Sequence, residues 1–147
     1  MIYAQEKYDD VIGEIKPLLE EHYNEIAKYK DIPLDPDWST YKAMETLGML
    51  KIFTCRDEDD NRMLGYGIYL VKKHLHYQSC LVAQQDILFI TKDKRGQGGR
   101  FLLWCDKMLK EMGVNMTVQH IKADHNFGPM LERFGYELMD LIYTRRL

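Results

Sequence analysis

Cysteine, proline and tryptophan are scarce in this 147-residue chain, at three, four and two copies. No stretch reaches the roughly 20 apolar residues that a membrane span needs. The start, Met1-Ile2-Tyr3-Ala4-Gln5-Glu6-Lys7, has no basic lead followed by an apolar core, so neither export nor membrane insertion is expected. Cys55, Cys80 and Cys105 are odd in number, far apart and set among apolar residues. That excludes the paired framework of a small secreted scaffold and suits reduced core thiols in a cytoplasmic protein. An excess of one charge is missing too: 20 basic against 23 acidic residues leave a formal net charge of -3. Bulk attraction to nucleic acid or to an anionic membrane is therefore not expected.

What is present, 46% hydrophobic and 29% charged residues, is the composition of an ordinary globular domain. At this length folding buries roughly 70% of the surface of the unfolded chain, so one domain over residues 1–147 needs neither disulfide nor metal. After a short first strand, Ile15, Leu18, Leu19, His22, Tyr23 and Ile26 recur at helical spacing and predict a helix over Glu14 to Tyr29, with Pro17 in its first turn. Asp37 is placed to cap a second helix through Trp38, Tyr41, Met44 and Leu47. Strands are predicted over Met49 to Cys55, Met63 to Val71 and Cys80 to Ile90, the first two joined by the acidic turn Asp57 to Asn61. A helix over 98–112 ends at Gly113, a strand covers Val114 to Ile121, and a last helix runs from Asp124 or Asn126 to Phe134, with Pro129 in its first turn. Tyr136 to Arg145 is expected as a closing strand. The order is (β)ααβββαβαβ, an α/β pattern with a mixed sheet.

The segment richest in chemistry is Ile87-Leu88-Phe89-Ile90-Thr91-Lys92-Asp93-Lys94-Arg95-Gly96-Gln97-Gly98-Gly99-Arg100-Phe101. A strand runs into a loop with three glycines in four positions, which opens directly onto a helix. Bare backbone amides, a helix N-terminus and the charges of Arg95 and Arg100 make such a loop an anion cradle. The triphosphate loop motif is excluded, because Arg100 and Phe101 stand where Lys and Ser/Thr would follow. The dinucleotide motif is excluded as well, by the missing third glycine and the antiparallel strands upstream.

Arg95-Gly96-Gln97-Gly98-Gly99-Arg100 resembles the Arg/Gln-x-x-Gly-x-Gly/Ala signature of the GNAT superfamily of acyl-CoA-dependent N-acyltransferases, with Arg100 in place of the last small residue. The element order is similar to that family's fold over nearly the whole chain, and Gly135-Tyr136 resembles its Gly-Phe/Tyr pair. His22, Asp35-Pro36-Asp37-Trp38, His76-Tyr77 and Asp86 give a narrower likeness to small members encoded by bacteriophages, which would place the protein in the host cytoplasm. The resemblance implies a mostly antiparallel sheet flanked by about four helices, with a C-terminal strand region too short for the usual terminal hairpin. It also implies acetyl-CoA as co-substrate. The backbone of Leu88, Phe89 and Ile90 would pair with the pantetheine arm, the amides of Arg95, Gly96, Gln97, Gly98, Gly99 and Arg100 would take the pyrophosphate, and Phe127 would pack on the pantetheine or adenine.

Carboxylates on the fourth strand often serve as bases in the family, and Asp86 is the acid in that strand here. If alternation holds it shares a face with Leu88 and Ile90, and its apolar neighbours are expected to desolvate it, which suits a base working through water. The tyrosine that many members use as general acid falls at Leu131. His76 and Tyr77 are further candidates for proton transfer or for shaping the acceptor site. His74 and His76 lack two more ligands at metal spacing, so no metal is expected. His22, Glu25, Tyr29, Asp37, Trp38 and Tyr41 interleave acids with aromatics and are candidates to hold a cationic amine. The expected activity is direct transfer of an acetyl group to a small-molecule or peptide amine in a ternary complex, with a homodimer as one way to complete the acceptor site. The alternative is a catalytically weak CoA-binding protein that acts through protein contacts.

Overall fold

Alternation of apolar side chains over three successive segments builds the centre of a five-stranded sheet. In the computed structural model, which describes residues 1–147, β2 (Leu50–Arg56), β3 (Met63–Lys73) and β4 (Leu81–Ile90) form an antiparallel meander. The first strand, β1 (Ile2–Glu6), adds antiparallel to β2, and β5 (Met116–Val118) adds parallel to β4. The order across the sheet is β1-β2-β3-β4-β5. Four helices complete the fold: α1 (Tyr8–Ile26), α2 (Trp38–Thr46), α3 (Gly98–Glu111) and α4 (Gly128–Arg133). The predicted mixed, mostly antiparallel α/β architecture is the one observed.

Each face of the sheet carries its own core. On one side Phe53, Cys55, Tyr69, Ala83 and Ile90 pack with Phe101, Cys105 and Leu109 of α3. On the other, Ile52, Tyr66, Ile68 and Phe89 pack with Val11, Ile15 and Leu19 of α1, and Tyr41 and Trp38 of α2 lie against them. Gly65 lets β3 lie this close to β4: a Cβ there would fall 2.5 Å from the Phe89 carbonyl oxygen.

Two features of β4 set up the site. Parallel pairing with β5 covers only Val82, Ala83 and Gln84, after which the Gln85 side chain accepts the His120 backbone N–H at 2.8 Å and the strands part. From Asp86 to Ile90 the β5 side of the strand is an open edge. Ile68 pairs with Ile87 but Tyr69 with Gln85, so Asp86 is the extra residue of a β-bulge.

Several sequence expectations are corrected. The first helix starts at Tyr8, so Pro17 lies at its middle. The buried stripe of Tyr8, Val11, Ile15 and Leu19 holds the helix together across the lost backbone hydrogen bond. The predicted strand Val114 to Ile121 shrinks to β5, because a glutamine side chain rather than a strand takes the His120 amide. Tyr136 to Arg145 forms no strand: Leu138, Met139, Leu141, Ile142 and Tyr143 are exposed, and the segment is tied down through Arg146 to Asp31 at 2.8 Å and Thr144 to the Tyr29 hydroxyl at 3.0 Å. Asp37 caps α2 as expected, accepting the Thr40 N–H, and Gly113 and Gly135 follow their helices at positive φ.

Candidate active site at the open edge of the fourth strand

Beyond Ile90 the backbone enters a 3-10 turn over Lys92–Gln97 and passes straight into α3. The glycines of this stretch do two different jobs. A Cβ on Gly96 or Gly98 would meet nothing within 4 Å, so both present bare backbone to open space. A Cβ on Gly99 would lie 2.9 Å from the Phe134 ring, so Gly99 is there to let α3 and α4 touch. Neither Gly96 nor Gly98 has a positive φ, so the loop does not use glycine for tight turning. What glycine provides is clearance. The N-terminus of α3 has no side-chain cap and no acid in its first turn, and the turn before it takes one amide, the Gly98 N–H, through the Arg95 carbonyl.

Charge around the loop is already partly spent. Arg95 Nη2 donates to Glu25 Oε2 of α1 at 2.5 Å, and this bond holds the Glu25 carboxyl below its usual range. Glu25 is thus the partner of a loop cation, not a free acid facing an amine. Arg100 is exposed, and its charge opposes the upward push that burial gives the Tyr3 phenol. Phe127 is half-buried at the N-cap of α4. At the loop's entrance Thr91 Oγ1 is buried and makes no hydrogen bond within the protein.

The bulge turns Asp86 away from the face expected for it. Leu88 and Ile90 pack on the α3 side, whereas Asp86 faces α2 and accepts a hydrogen bond from the Tyr41 hydroxyl at 2.5 Å. The carboxylate is exposed rather than enclosed by Ile87 and Leu88. Burial, and next the bond to Asp86, push the Tyr41 phenol well above its ordinary value. Tyr66 of β3 is fully buried beside this pair, its hydroxyl without a partner in the protein, and burial again drives its phenol upward, with Tyr41 and Asp86 adding to the effect. His22 of α1 packs against Phe89 at 5.1 Å between ring centroids, and burial lowers it to about 4. At neutral pH it is an uncharged imidazole.

Of the proposed acceptor residues, His22 and Tyr41 reach β4. Asp37 is consumed as a helix cap by Ser39 and Thr40, which lowers it to about 2. Trp38 stacks on Tyr41 at 5.6 Å, and Tyr29 is held by Thr144 and by the Arg146 guanidinium 5.3 Å from its ring. His76 and Tyr77 are not brought to the site. They sit in the β3–β4 connection, at the far end of β4 from the loop, where His74 stacks on Tyr77 at 4.7 Å and accepts the His76 N–H. Leu131 is core. Cys55 and Cys105 are buried free thiols raised by burial, without the activation a nucleophile needs.

Two residues that matter have roles that sequence does not reveal. Tyr66 reads as one more aromatic of an alternating strand, and only the fold sets its hydroxyl beside Asp86. Tyr136 looked like a family marker, and it is a structural tie: its hydroxyl bonds Asp106 of α3 at 2.7 Å and meets Thr117 at 3.1 Å and Gln119 at 3.3 Å.

No protein-family model matches the sequence, and no curated protein matches it. Among solved structures the chain is similar to a putative acetyl transferase from Pyrococcus furiosus, at 19% identity and a TM-score of 0.72 over 99% of this chain and 100% of that one. It is similar to a ribosomal-protein-alanine N-acetyltransferase from Brucella melitensis, at 17% identity and a TM-score of 0.70 over the whole of both chains. An aminoglycoside acetyltransferase from an uncultured soil metagenomic sample, in complex with sisomicin, matches at 14% identity and a TM-score of 0.73 over 99% of this chain and 95% of that one. The chain thus has the GNAT acetyltransferase fold. The narrower likeness to phage-encoded members finds no support among these structures.

Proposed function

We propose that the protein is an N-acetyltransferase that moves an acetyl group from acetyl-CoA to a primary amine without a covalent acyl-enzyme. The observation that carries this reading is the continuity of three elements: an open edge of β4 from Asp86 to Ile90, the bare backbone of Gly96 and Gly98, and the uncapped start of α3. An extended amide-bearing arm ending in phosphates fits that series, with Leu88, Phe89 and Ile90 offering strand-like pairing and the amides from Arg95 to Arg100, apart from the Gly98 N–H bonded to Arg95, taking the phosphates. Thr91, with an unspent buried hydroxyl, adds a donor at the junction, and Phe127 gives the arm an apolar wall. Bound acetyl-CoA supplies an activated acetyl thioester. The amine nitrogen bonds the acetyl carbon as the C–S bond breaks and CoA leaves as its thiolate, which takes a proton from water; Asp86, exposed at the bulge, takes the proton that the amine gives up, and Tyr41 fixes the carboxylate. His22, uncharged, leaves an amine beside Phe89 free of repulsion.

The acceptor class is a small-molecule or peptide amine, a reading supported by the sisomicin complex and by the ribosomal-protein enzyme among the similar structures. Three free cysteines support a reducing, cytoplasmic setting, and no helix is long and apolar enough to cross a membrane. Thiol release followed across polyamines, aminoglycosides, amino sugars and peptides tests the activity: turnover with at least one amine is expected. Leu131, where the family's tyrosine acid would stand, favours the second reading, a CoA-binding protein with little turnover. Tight acetyl-CoA binding with silence across the whole panel would select it.

A further inference from the structure

The Tyr66 hydroxyl is the unspent phenol of the site. Its residue is fully buried in the core beneath α1 and α2, yet the oxygen makes no hydrogen bond within the protein. A buried hydroxyl without a partner destabilises the fold, and phenylalanine would fill the same space without that cost. The neighbouring donors are committed: Tyr41 gives its proton to Asp86, and His22 is stacked on Phe89. In the strand register Tyr66 stands opposite Phe89, with ring centroids 5.9 Å apart, on the sheet face that also carries Ile87 and the bulged Asp86. Tyr66 thus stands one interstrand spacing, about 4.7–4.9 Å, inward of β4 on the face where Asp86 emerges.

We propose that Tyr66 is a catalytic residue whose hydroxyl donates a hydrogen bond to the carbonyl oxygen of the acyl group presented at the bulge of β4. This rests on the acetyl-CoA reading of the cleft and adds to it a residue that family likeness does not indicate. The role needs a donor that keeps its proton, and the setting of Tyr66 provides one. Burial, and then the nearby Tyr41 and Asp86, oppose ionisation, so the group remains a phenol at any working pH. Negative charge gathers on the carbonyl oxygen as the amine attacks, and a fixed donor in a dry setting stabilises it most at that stage. Tyr66 forms and breaks no covalent bond, and the amine's proton goes to Asp86.

The test is Tyr66→Phe, read in three ways. Denaturant unfolding should show stability equal to or above that of the unaltered protein, because an unpartnered buried hydroxyl has been removed. Infrared spectra of bound acetyl-CoA labelled with carbon-13 at the thioester carbonyl should show the stretch lowered in the unaltered protein and returned toward its free value in the variant. Turnover should fall on the order of 100-fold with the KM for acetyl-CoA unchanged, the usual effect of losing one such donor. An identical carbonyl frequency in the two proteins overturns the proposal, as does a marked loss of stability, which would mean that the hydroxyl serves the fold. Failure of the unaltered protein to bind acetyl-CoA is a different result, and it removes the function reading together with this inference.

Discussion

Arg95 of the glycine loop is held by Glu25 of α1, Nη2 to Oε2 at 2.5 Å, so the cation best placed for a phosphate already has an anionic partner. A phosphate must compete with that carboxylate or share the guanidinium with it. Glu25→Gln should therefore tighten acetyl-CoA binding severalfold, and Arg95→Ala should weaken it, with titration calorimetry as the measure. Weaker binding in Glu25→Gln would mean that the pair must stay closed to shape the loop.

The two kinds of glycine separate ligand clearance from packing. Gly98→Val, pointing into open space, should leave stability within about 0.5 kcal/mol while lowering acetyl-CoA affinity at least tenfold. Gly99→Val must push against Phe134 and Met130, and should cost about 1–3 kcal/mol in denaturant unfolding. If both variants behave alike in both measurements, the division of labour is wrong.

Removing the Tyr41 hydroxyl tests how Asp86 is held. Tyr41→Phe leaves the bulge carboxylate without its donor and should lower turnover about tenfold, and Asp86→Asn should lower it further, with acetyl-CoA affinity spared in both. Unchanged rates in Asp86→Asn would retire Asp86 as the base.

Tyr136 bonds across α3 and β5, and Tyr136→Phe strands the half-buried Asp106 carboxylate, which burial already raises above the usual range. The loss should be about 1–3 kcal/mol. A raised carboxyl gives stability that is present at low pH and lost as pH rises through its folded value, so the deficit of the variant should widen toward neutral pH.

His22 acts in the opposite direction. Its imidazole falls from 6.5 to about 4 in the folded protein, so between those values the unfolded chain binds the extra proton and stability drops as pH falls. The contribution lost across that window is up to about 3 kcal/mol. Denaturant titrations at a series of pH values should show a flatter acid limb for His22→Gln.

Local chemistry explains which parts of this molecule could be read in advance. Asp37 as cap, Gly113 and Gly135 as helix stops and the three meander strands were legible, because caps, positive-φ glycines and alternation depend on neighbours in sequence. The glycine loop was legible as open backbone running into a helix for the same reason. The bulge at Asp86 was not, since a register shift between Ile68 and Tyr69 depends on two strands at once and turns the carboxylate to the other face. His76 and Tyr77 suggested proton chemistry by residue type alone, and chain topology sets them at the wrong end of β4. In sequence Glu25 stands among aromatics as an acceptor contact, and its actual partner Arg95 lies 70 residues away. The closing strand expected over Tyr136 to Arg145 needs an edge to pair with, and β5, at three residues, is too short to offer one.

Titration calorimetry of the unaltered protein with acetyl-CoA tests the central claim most directly. One saturable site per chain is expected, weakened at least tenfold by Gly98→Val and left intact by Asp86→Asn. An absence of binding, or binding indifferent to Gly98→Val, would contradict the assignment of the β4 edge and the glycine loop as an acyl-CoA site.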